Sequence, residues 1–449
     1  MIEFGRQEDP DTDEDARAVP VEREVLVGGM NEVVREGAVV LRPAGPWSAT
    51  VQRLLEHLEG AGFDGSPAPL GLSADGREER VEYLPGEIGH DFGAPEVRSD
   101  ATLVAVAALL RRLHDASATF PRTDADVWYR PAREPAEVIC HGDAATYNTV
   151  FRGGLPVAFI DFDTAHPAPR LGDAAYTAYR FVPLYAPDEA QLTVPAAQGR
   201  RRLALFAKAY GLSDAERARL PAAAAEHLRG HVRLMRDQAA AGHAAFARHL
   251  AEGHDQRYLT DAEWIERVYG GRLNSARLSL RPVGPEDQAW LLGHWTDPDV
   301  RGFLYDDEVL TPDEVAAQIA RSVRGFAEDG YGLWVVRARE SVASGDSVEV
   351  AQTQPLGTVG IRPLEDLGLE LCYSLAADAR GQGYATEAAR LVRDHALGPL
   401  GLPELLAEVD EGNRASAAIV GRLGFEPFDV VPGVLGPMTR YRLGRLDAK

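Results

Sequence analysis

The 449-residue chain is predicted to be a multidomain protein of mixed α/β and α+β class. Three observations carry that expectation. The length is enough for two or three separate cores. Strand-like runs with glycine turns near the N-terminus give way to a stretch rich in Ala, Leu, Arg and Glu, residues 200–268, which is helical by pattern. After Gly270-Gly271-Arg272 the pattern restarts as a strand, and strands and helices alternate towards the C-terminus. The expected division is an acidic tail over 1–20, a first domain over 21–272 and a second over 277–449.

In chain order, residues 1–20 are acidic and lack the basic and apolar regions of a secretory signal, which is the composition of a disordered tail. Residues 21–42 hold β-rich runs around Gly28, Gly29 and Gly37, the last ending at Arg42. A helix opening at Ser48 has acids only late, at Glu56 and Glu59. Residues 81–84 then form a strand before Pro85-Gly86-Glu87. Over 102–114, Leu103, Ala107, Leu110 and Leu113 fall at helical spacing, and His114 at the end suits packing or capping. Asp237, Glu252 and Asp255 in the helical stretch are either contacts for a cationic substrate or a solvated face. From 278 onwards the expected order is strand, two helices, strand (332–337), a polar insert, strand (356–362), strand (369–375), helix, strand (405–410), helix. No internal repeat relates the halves.

The formal net charge of −22 argues against nucleic acid as a partner, since phosphates repel an acidic surface, and suits a cationic small molecule. Cys140 and Cys372 stand alone and far apart, so neither a disulfide framework nor a CxxC metal site is available, and a reducing cytoplasm is the expected home. The longest apolar run, 103–110, is too short to span a bilayer.

One stretch, HGDAATYNTVFRGGLPVAFIDFD over 141–163, reads as loop, strand, tight turn and strand. Phosphoryl transfer from a nucleotide needs a carboxylate to orient the acceptor hydroxyl, with an amide oxygen and a second carboxylate to hold Mg²⁺. Asp143, Asn148 and Asp161 supply those groups in that order, although such residues also favour turns for their own reasons. The stretch resembles the HGDxxxxN loop and IDxD strand of the aminoglycoside phosphotransferase and choline kinase-like group. That resemblance implies a protein-kinase-like fold of two lobes using ATP or GTP, with Asp143 as the catalytic aspartate and Asn148 and Asp161 as Mg²⁺ ligands. It makes His141 a loop-shaping residue and Asp173 a brace for the loop. Arg42 stands at the phosphate anchor, where the group usually has lysine, and the acid expected near the start of the next helix is missing from Ser48-Ala49-Thr50-Val51-Gln52.

A second stretch, LELCYSLAADARGQGYATEAA over 369–389, runs from a strand into glycines at the mouth of a helix, where backbone N–H groups and the helix dipole favour an anionic group. Residues Arg380, Gly381, Gln382, Gly383, Tyr384 and Ala385 resemble the Q/R-x-x-G-x-G/A loop of the GNAT acetyltransferases. Asn413-Arg414-Ala415-Ser416 leading to Leu423-Gly424-Phe425 resembles their N-x-x-S…LGF segment. The resemblance implies acetyl-CoA as cofactor, its pyrophosphate held by 380–385 and assisted by Asn413 and Ser416, with Glu370 as the base that deprotonates an amine. Val420 occupies the place where many relatives carry a tyrosine for the departing thiolate, which leaves water, Tyr373 or unaided departure.

Together the halves imply a bifunctional enzyme that phosphorylates a hydroxyl and acetylates an amine, by analogy on an aminoglycoside-like small molecule. Two alternatives stay open: a kinase-like part that only binds, and acetylation of a protein N-terminus.

Overall fold

The computed structural model describes residues 23–26, 33–90, 93–187, 193–339 and 354–444. The acidic tail, the Gly28-Gly29 turn and the polar insert lie outside the described residues.

A small lobe opens the chain. Strands β1 (Arg23–Leu26), β2 (Val33–Glu36) and β3 (Val39–Pro43) are followed by helix α1 (Ser48–Gly60) and strands β4 (Pro69–Leu72) and β5 (Glu78–Glu82). They form an antiparallel sheet in the order β1-β2-β3-β5-β4. Helix α1 buries Val51, Leu54, Leu55 and Leu58, the i, i+3, i+4, i+7 stripe that turns a helix towards a core.

The larger lobe begins with β6 (Glu87–Ile88) and α2 (Asp100–Ser117), which starts where the Ser99 side chain accepts the Thr102 N–H. Strand β7 (Val138–Cys140) leads into the 141–148 loop. Strands β8 (Thr149–Arg152) and β9 (Leu155–Phe159) return as a hairpin beside β6, and β10 (His166–Ala168) pairs with β7. Helices α3 (Arg170–Phe181), α4 (Ala196–Tyr210), α5 (Asp214–Ala240), α6 (Ala244–Ala251) and α7 (His254–Val268) complete it. A capping box of Ser213 and Glu216 starts α5. One apolar core runs from Val51 through Leu103, Phe159 and Phe206 to Ile265, so the lobes share it.

The chain then enters a second sheet: β11 (Leu273–Asn274), β12 (Leu278–Pro282), β13 (Leu333–Ala338), β14 (Pro355–Leu364), β15 (Gly368–Leu375), β16 (Glu404–Asp410), β17 (Glu426–Gly433) and β18 (Gly436–Gly444), in the order β11-β12-β13-β14-β15-β16-β18-β17. Helices α8 (Gln288–Thr296), α9 (Pro298–Leu304) and α10 (Pro312–Glu328) follow β12, while α11 (Tyr384–Leu397) and α12 (Arg414–Arg422) follow β15 and β16. Trp334, Val359, Leu371, Val392 and Leu405 fill its core, and a second cluster around Leu291, Trp295 and Ile319 seats α8 to α10. Strands β15 and β16 run parallel and register at a single pair, Glu370 with Leu406. Beyond that pair they separate.

Three features depart from the sequence expectation. Leu273–Asn274 already belongs to the second sheet, ahead of the expected start at 277. Three helices, not two, precede β13. The closing hairpin β17–β18 was not anticipated, because its first strand is exposed along most of its length and lacks the alternation that marks a half-buried strand.

At the junction the Trp334 indole N–H donates to the Gly271 carbonyl at 2.5 Å. Gly271 has φ 62°, and a Cβ there would lie 2.8 Å from the Phe326 ring, so glycine is needed on both counts. Trp334 is fully buried. Trp334→Ala is expected to cost ~3–5 kcal/mol in the second domain. Calorimetry of the full chain should show that domain's transition moving down while the first domain's transition stays in place.

Two candidate active sites

In the first domain the site is built on a buried carboxylate. Asp173, near the start of α3, accepts the His141 N–H at 2.8 Å, the Gly142 N–H at 3.0 Å and His114 Nε2 at 3.0 Å. His114 is held in turn by Tyr210, whose hydroxyl lies 2.5 Å from Nδ1. Burial works to raise the Asp173 pKa, yet these hydrogen bonds and the His114 charge hold it well below the usual carboxylate range. Gly142 sits at φ 82°, and a Cβ there would collide with the Thr164 carbonyl. The His141 ring lies 3.1 Å from the Ile160 carbonyl through Nε2 and accepts the Asp143 N–H through Nδ1 at 3.3 Å, which bends the loop back on itself.

That bend presents Asp143. Its Oδ1 accepts the hydroxyls of Tyr147 and Tyr176, each at 2.8 Å, and its Oδ2 accepts Asn148 Nδ2 at 3.1 Å. Burial pushes the Asp143 carboxyl above its ordinary pKa, and the two tyrosines oppose the rise. Because Asn148 spends its amide nitrogen on Asp143, its amide oxygen is left for another partner. The Ile160 N–H donates to the Asn148 carbonyl at 2.9 Å, which carries Asp161 to the same end of the site. Asp161 adopts φ 64°, ψ 66°, a left-handed conformation costly for a residue with a Cβ, and its carboxylate is half exposed.

Arg42 is where the structure adds most. Its guanidinium meets Glu79 at 2.9 Å, Asp161 at 2.8 Å and Asp163 at 2.8 Å. The acid missing from the start of α1 is therefore supplied by β5, where Glu79 stands directly across the strand pair from Arg42. Glu79 is fully buried, and α1 contributes Ser48 and Gln52, which donate to it at 3.2 and 2.8 Å. The donor set suits Mg²⁺: a free amide oxygen on Asn148 and the second oxygen of Asp161 are hard oxygen ligands, and Arg42 engages only one oxygen of Asp161. His114, Cys140 and Asp173 also cluster, but Asp173 is fully engaged by N–H donors and burial keeps the Cys140 thiol protonated. That cluster is structural.

In the second domain both motifs follow the C-terminal ends of the diverging strands. After β15, the loop at 380–383 leads into α11, with Gly381 and Gly383 at φ 76° and 81°. Among the described residues, the backbone N–H groups of Gly381, Gln382, Gly383, Tyr384 and Ala385 donate to no other group. Arg277 props the loop from outside, donating to the Gln382 carbonyl at 3.1 Å, pairing with Glu387 and covering the Tyr384 ring at 4.9 Å. Arg380 is committed to the Leu375 and Asp299 carbonyls, so its guanidinium shapes the loop. The open amides fit a pyrophosphate. After β16, Asn413 caps α12 by accepting the Ser416 N–H at 3.1 Å, and the Ser416 carbonyl accepts the Tyr373 hydroxyl at 3.4 Å.

Glu370 lies at the one registered pair between β15 and β16. It is buried, and its Oε1 accepts from Arg362 at 2.6 Å. Burial pushes its pKa up and Arg362 opposes the rise. A cleft of about 210 Å³ beside it, between α10 and the β14–β15 strands, is lined by Arg321, Arg324, Glu328, Arg362, Cys372 and Tyr373. Glu370 itself does not line that cleft.

Residues 277–426 match the acetyltransferase (GNAT) domain, and residues 122–206 match the phosphotransferase enzyme family. The chain joins one domain of each family. The trifolitoxin immunity protein of Rhizobium leguminosarum bv. trifolii is 36% identical over 201 residues, covering 42% of this chain and 74% of that one. The FsC-acetyl coenzyme A-N(2)-transacetylase of Aspergillus fumigatus is 29% identical over 184 residues, covering 38% and 76%. Among solved structures, an acetyltransferase from Agrobacterium tumefaciens is 25% identical with a TM-score of 0.33, over 38% of this chain and 93% of its own. The GNAT domain makes the chain an acetyl-CoA-dependent acyltransferase, and the phosphotransferase domain accompanies it.

In the phosphotransferase domain, sequence reasoning missed Glu79, Tyr147 and Tyr176. In the GNAT domain it missed Arg277 and Arg362. The signal for Glu79 lay in the pairing of β3 with β5, which places residue 79 opposite residue 42.

Two measurements check these sites. Burial first, with Asp161 and Glu79 adding repulsion against the pull of Arg42, pushes Asp163 up to about 6 from 3.8. The folded chain then binds that proton more tightly than the unfolded chain, so stability falls as pH rises from 3.8 to about 6. Thermal unfolding across that range should show Asp163→Asn gaining on the wild type, and parallel curves would refute the assignment. In the GNAT domain, Gly383→Val places a branched side chain at φ 81° in the open cradle. Acetyl-CoA at a hundredfold excess over Kd should stabilise the wild type by about 2.7 kcal/mol and the variant hardly at all.

Proposed function

We propose that the chain modifies a small molecule at two positions, phosphorylating a hydroxyl in the first domain and acetylating an amine in the second. The observation that supports the first activity best is the presentation of Asp143. Its backbone is fixed through Asp173, and its carboxylate is oriented by Tyr147, Tyr176 and Asn148. There it can orient an acceptor hydroxyl and take its proton, and a pKa raised by burial makes it a better base than an ordinary aspartate. Asn148 and Asp161 would hold Mg²⁺, which would neutralise charge on the phosphates of ATP or GTP when bound. Arg42, fixed by Glu79, would grip phosphate with its remaining donor capacity.

In the GNAT domain the amides at 381–385 would hold the pyrophosphate of acetyl-CoA, with Asn413 and Ser416 on the neighbouring helix. Glu370 remains the candidate base only through the oxygen that Arg362 does not hold, with water carrying the proton from the cleft. Kinship with an immunity protein supports a protective role, in which a toxic small molecule is inactivated. A second reading, a phosphotransferase-like module that only binds, is favoured by one observation: Arg42 already neutralises Asp161 and Asp163.

Asp143→Ala separates the two. Nucleotide affinity should stay nearly intact while acceptor-dependent ADP or GDP release falls ~10²- to 10⁴-fold, with CoA release unchanged. If the wild type shows no acceptor-dependent release while CoA release persists, the binding-module reading stands.

A further inference from the structure

Glu370 can take a proton from the GNAT cleft only through water, because it is tied to Arg362 and does not line the space. Other ionisable groups on the wall are no better placed. Burial pushes the Cys372 thiol up to about 11 and the Tyr373 hydroxyl up to about 12, so both keep their protons at neutral pH. Glu328 and Asp329 are exposed, at the C-terminal end of α10. Thr358, on the same wall, differs from all of these, because its hydroxyl leads into a chain of hydrogen bonds.

Thr358 on β14 and Ser374 on β15 stand directly opposite each other, and their hydroxyl oxygens are 2.9 Å apart. The Ser374 oxygen lies 2.8 Å from Nε2 of His294 on α8. Trp290 stacks on that imidazole at 4.8 Å and fixes its plane. The Trp295 indole N–H, which can only donate, reaches the Thr358 oxygen at 3.5 Å. That contact sets a direction: Thr358 turns its own proton to Ser374, Ser374 turns its proton to His294, and Nε2 accepts. Thr358 and His294 are buried and Ser374 is half-buried, so the chain runs inside the domain. Ser374 also lies on the part of β15 beyond Glu370, where the strand has left β16. Burial pushes the His294 pKa down to about 4, with Asp297 opposing the fall and Arg380 adding to it; these are the charged groups within its reach. A ring that is neutral at physiological pH has a lone pair for a proton and gives that proton up readily to water.

We propose that Thr358, Ser374 and His294 form a route, separate from Glu370, by which the acceptor amine loses its proton. The assignment rests on the reading of this domain as one that acetylates an amine. An amine that enters as an ammonium ion cannot attack, since its lone pair is occupied. One of its protons passes to the Thr358 oxygen as Thr358 passes its own to Ser374, and Ser374 passes its own to His294 Nε2. The imidazolium then gives up a proton to water. The neutral nitrogen attacks the thioester carbonyl, the N–C bond forms and the C–S bond breaks, and CoA leaves with the electron pair. A second nitrogen proton follows to the thiolate through water. One ammonium proton thus reaches solvent and one reaches the thiol, and the charges balance. Thr358 is the member that meets the amine, while Ser374 and His294 act through it.

Two probes of matching shape separate this route from a structural role: phenethylamine, an ammonium ion at neutral pH, and O-benzylhydroxylamine, which is already neutral there. CoA release by the full-length chain is followed with each. Thr358→Val removes the hydroxyl at nearly constant volume, and Ser374→Ala breaks the next link. Both should slow release with phenethylamine about tenfold or more, and with O-benzylhydroxylamine far less. Thr358→Ser keeps the hydroxyl and should recover most of the rate. Thermal stabilisation by acetyl-CoA reports that each variant is folded. Equal losses with both amines overturn the relay and leave acetyl transfer in place, and the same split in Glu370→Gln but in neither hydroxyl variant returns the proton to Glu370. A second measurement needs no turnover, so it decides even if neither probe is acetylated. Nitrogen NMR on isotope-labelled histidine, with the His294 signals identified by their loss in His294→Phe, should find Nε2 unprotonated and Nδ1 carrying the proton at neutral pH. A protonated Nε2 reverses the direction of the chain and overturns the assignment.

Discussion

The first domain depends on one buried carboxylate. Asp173 cannot face water, so it is stable only with its oxygens filled, and the donors that fill them are two consecutive backbone amides and an imidazole. The same three bonds fix the loop that carries Asp143. Stability and function are thus set by the same contacts: losing Asp173 would leave buried N–H groups unpaired and release the loop together. His114 and Tyr210 extend the constraint outward to α2 and α4. The site is held by helices at some distance from the chemistry.

Ion pairs across strands set the character of both sites. Arg42 stands opposite Glu79 in the β3–β5 pair, and Arg362 stands opposite Glu370 in the β14–β15 pair. In each case a residue assigned a chemical role meets a partner of opposite charge, and the carboxylate of the pair is buried. A buried charge stripped of its partner is strongly destabilising, so each pair acts as a unit. For Arg42 this supplies the acid that its neighbouring helix lacks. For Glu370 it limits the base to the oxygen that Arg362 leaves.

Both pairs explain what the sequence could and could not reveal. Local chemistry was legible: Asp143, Asn148 and Asp161 sit within one hairpin, and Gly381 and Gly383 sit at the mouth of one helix, so spacing alone suggested their proximity. Partners brought by strand register were not, because residues 37 apart become neighbours only once β3 and β5 are aligned. Tyr147 and Tyr176 were missed for another reason. A tyrosine in an apolar stretch reads as core, and only the fold shows its hydroxyl turned to a carboxylate. The β17–β18 hairpin escaped notice because half-burial, which writes the alternating pattern, hardly occurs there.

The single registered pair between β15 and β16 has a thermodynamic meaning of its own. Each strand is fully bonded on its outer side, β15 to β14 and β16 to β18, so neither can swing to close the gap without breaking a ladder. The inner edges beyond Glu370 and Leu406 therefore stay apart whether or not anything lies between them. Most of the ordering that a ligand would otherwise impose is completed when the sheet folds, and association need not disturb the sheet. A molecule with amide groups along its length would find donors and acceptors already in place, in a slot whose width is set by the neighbouring strands.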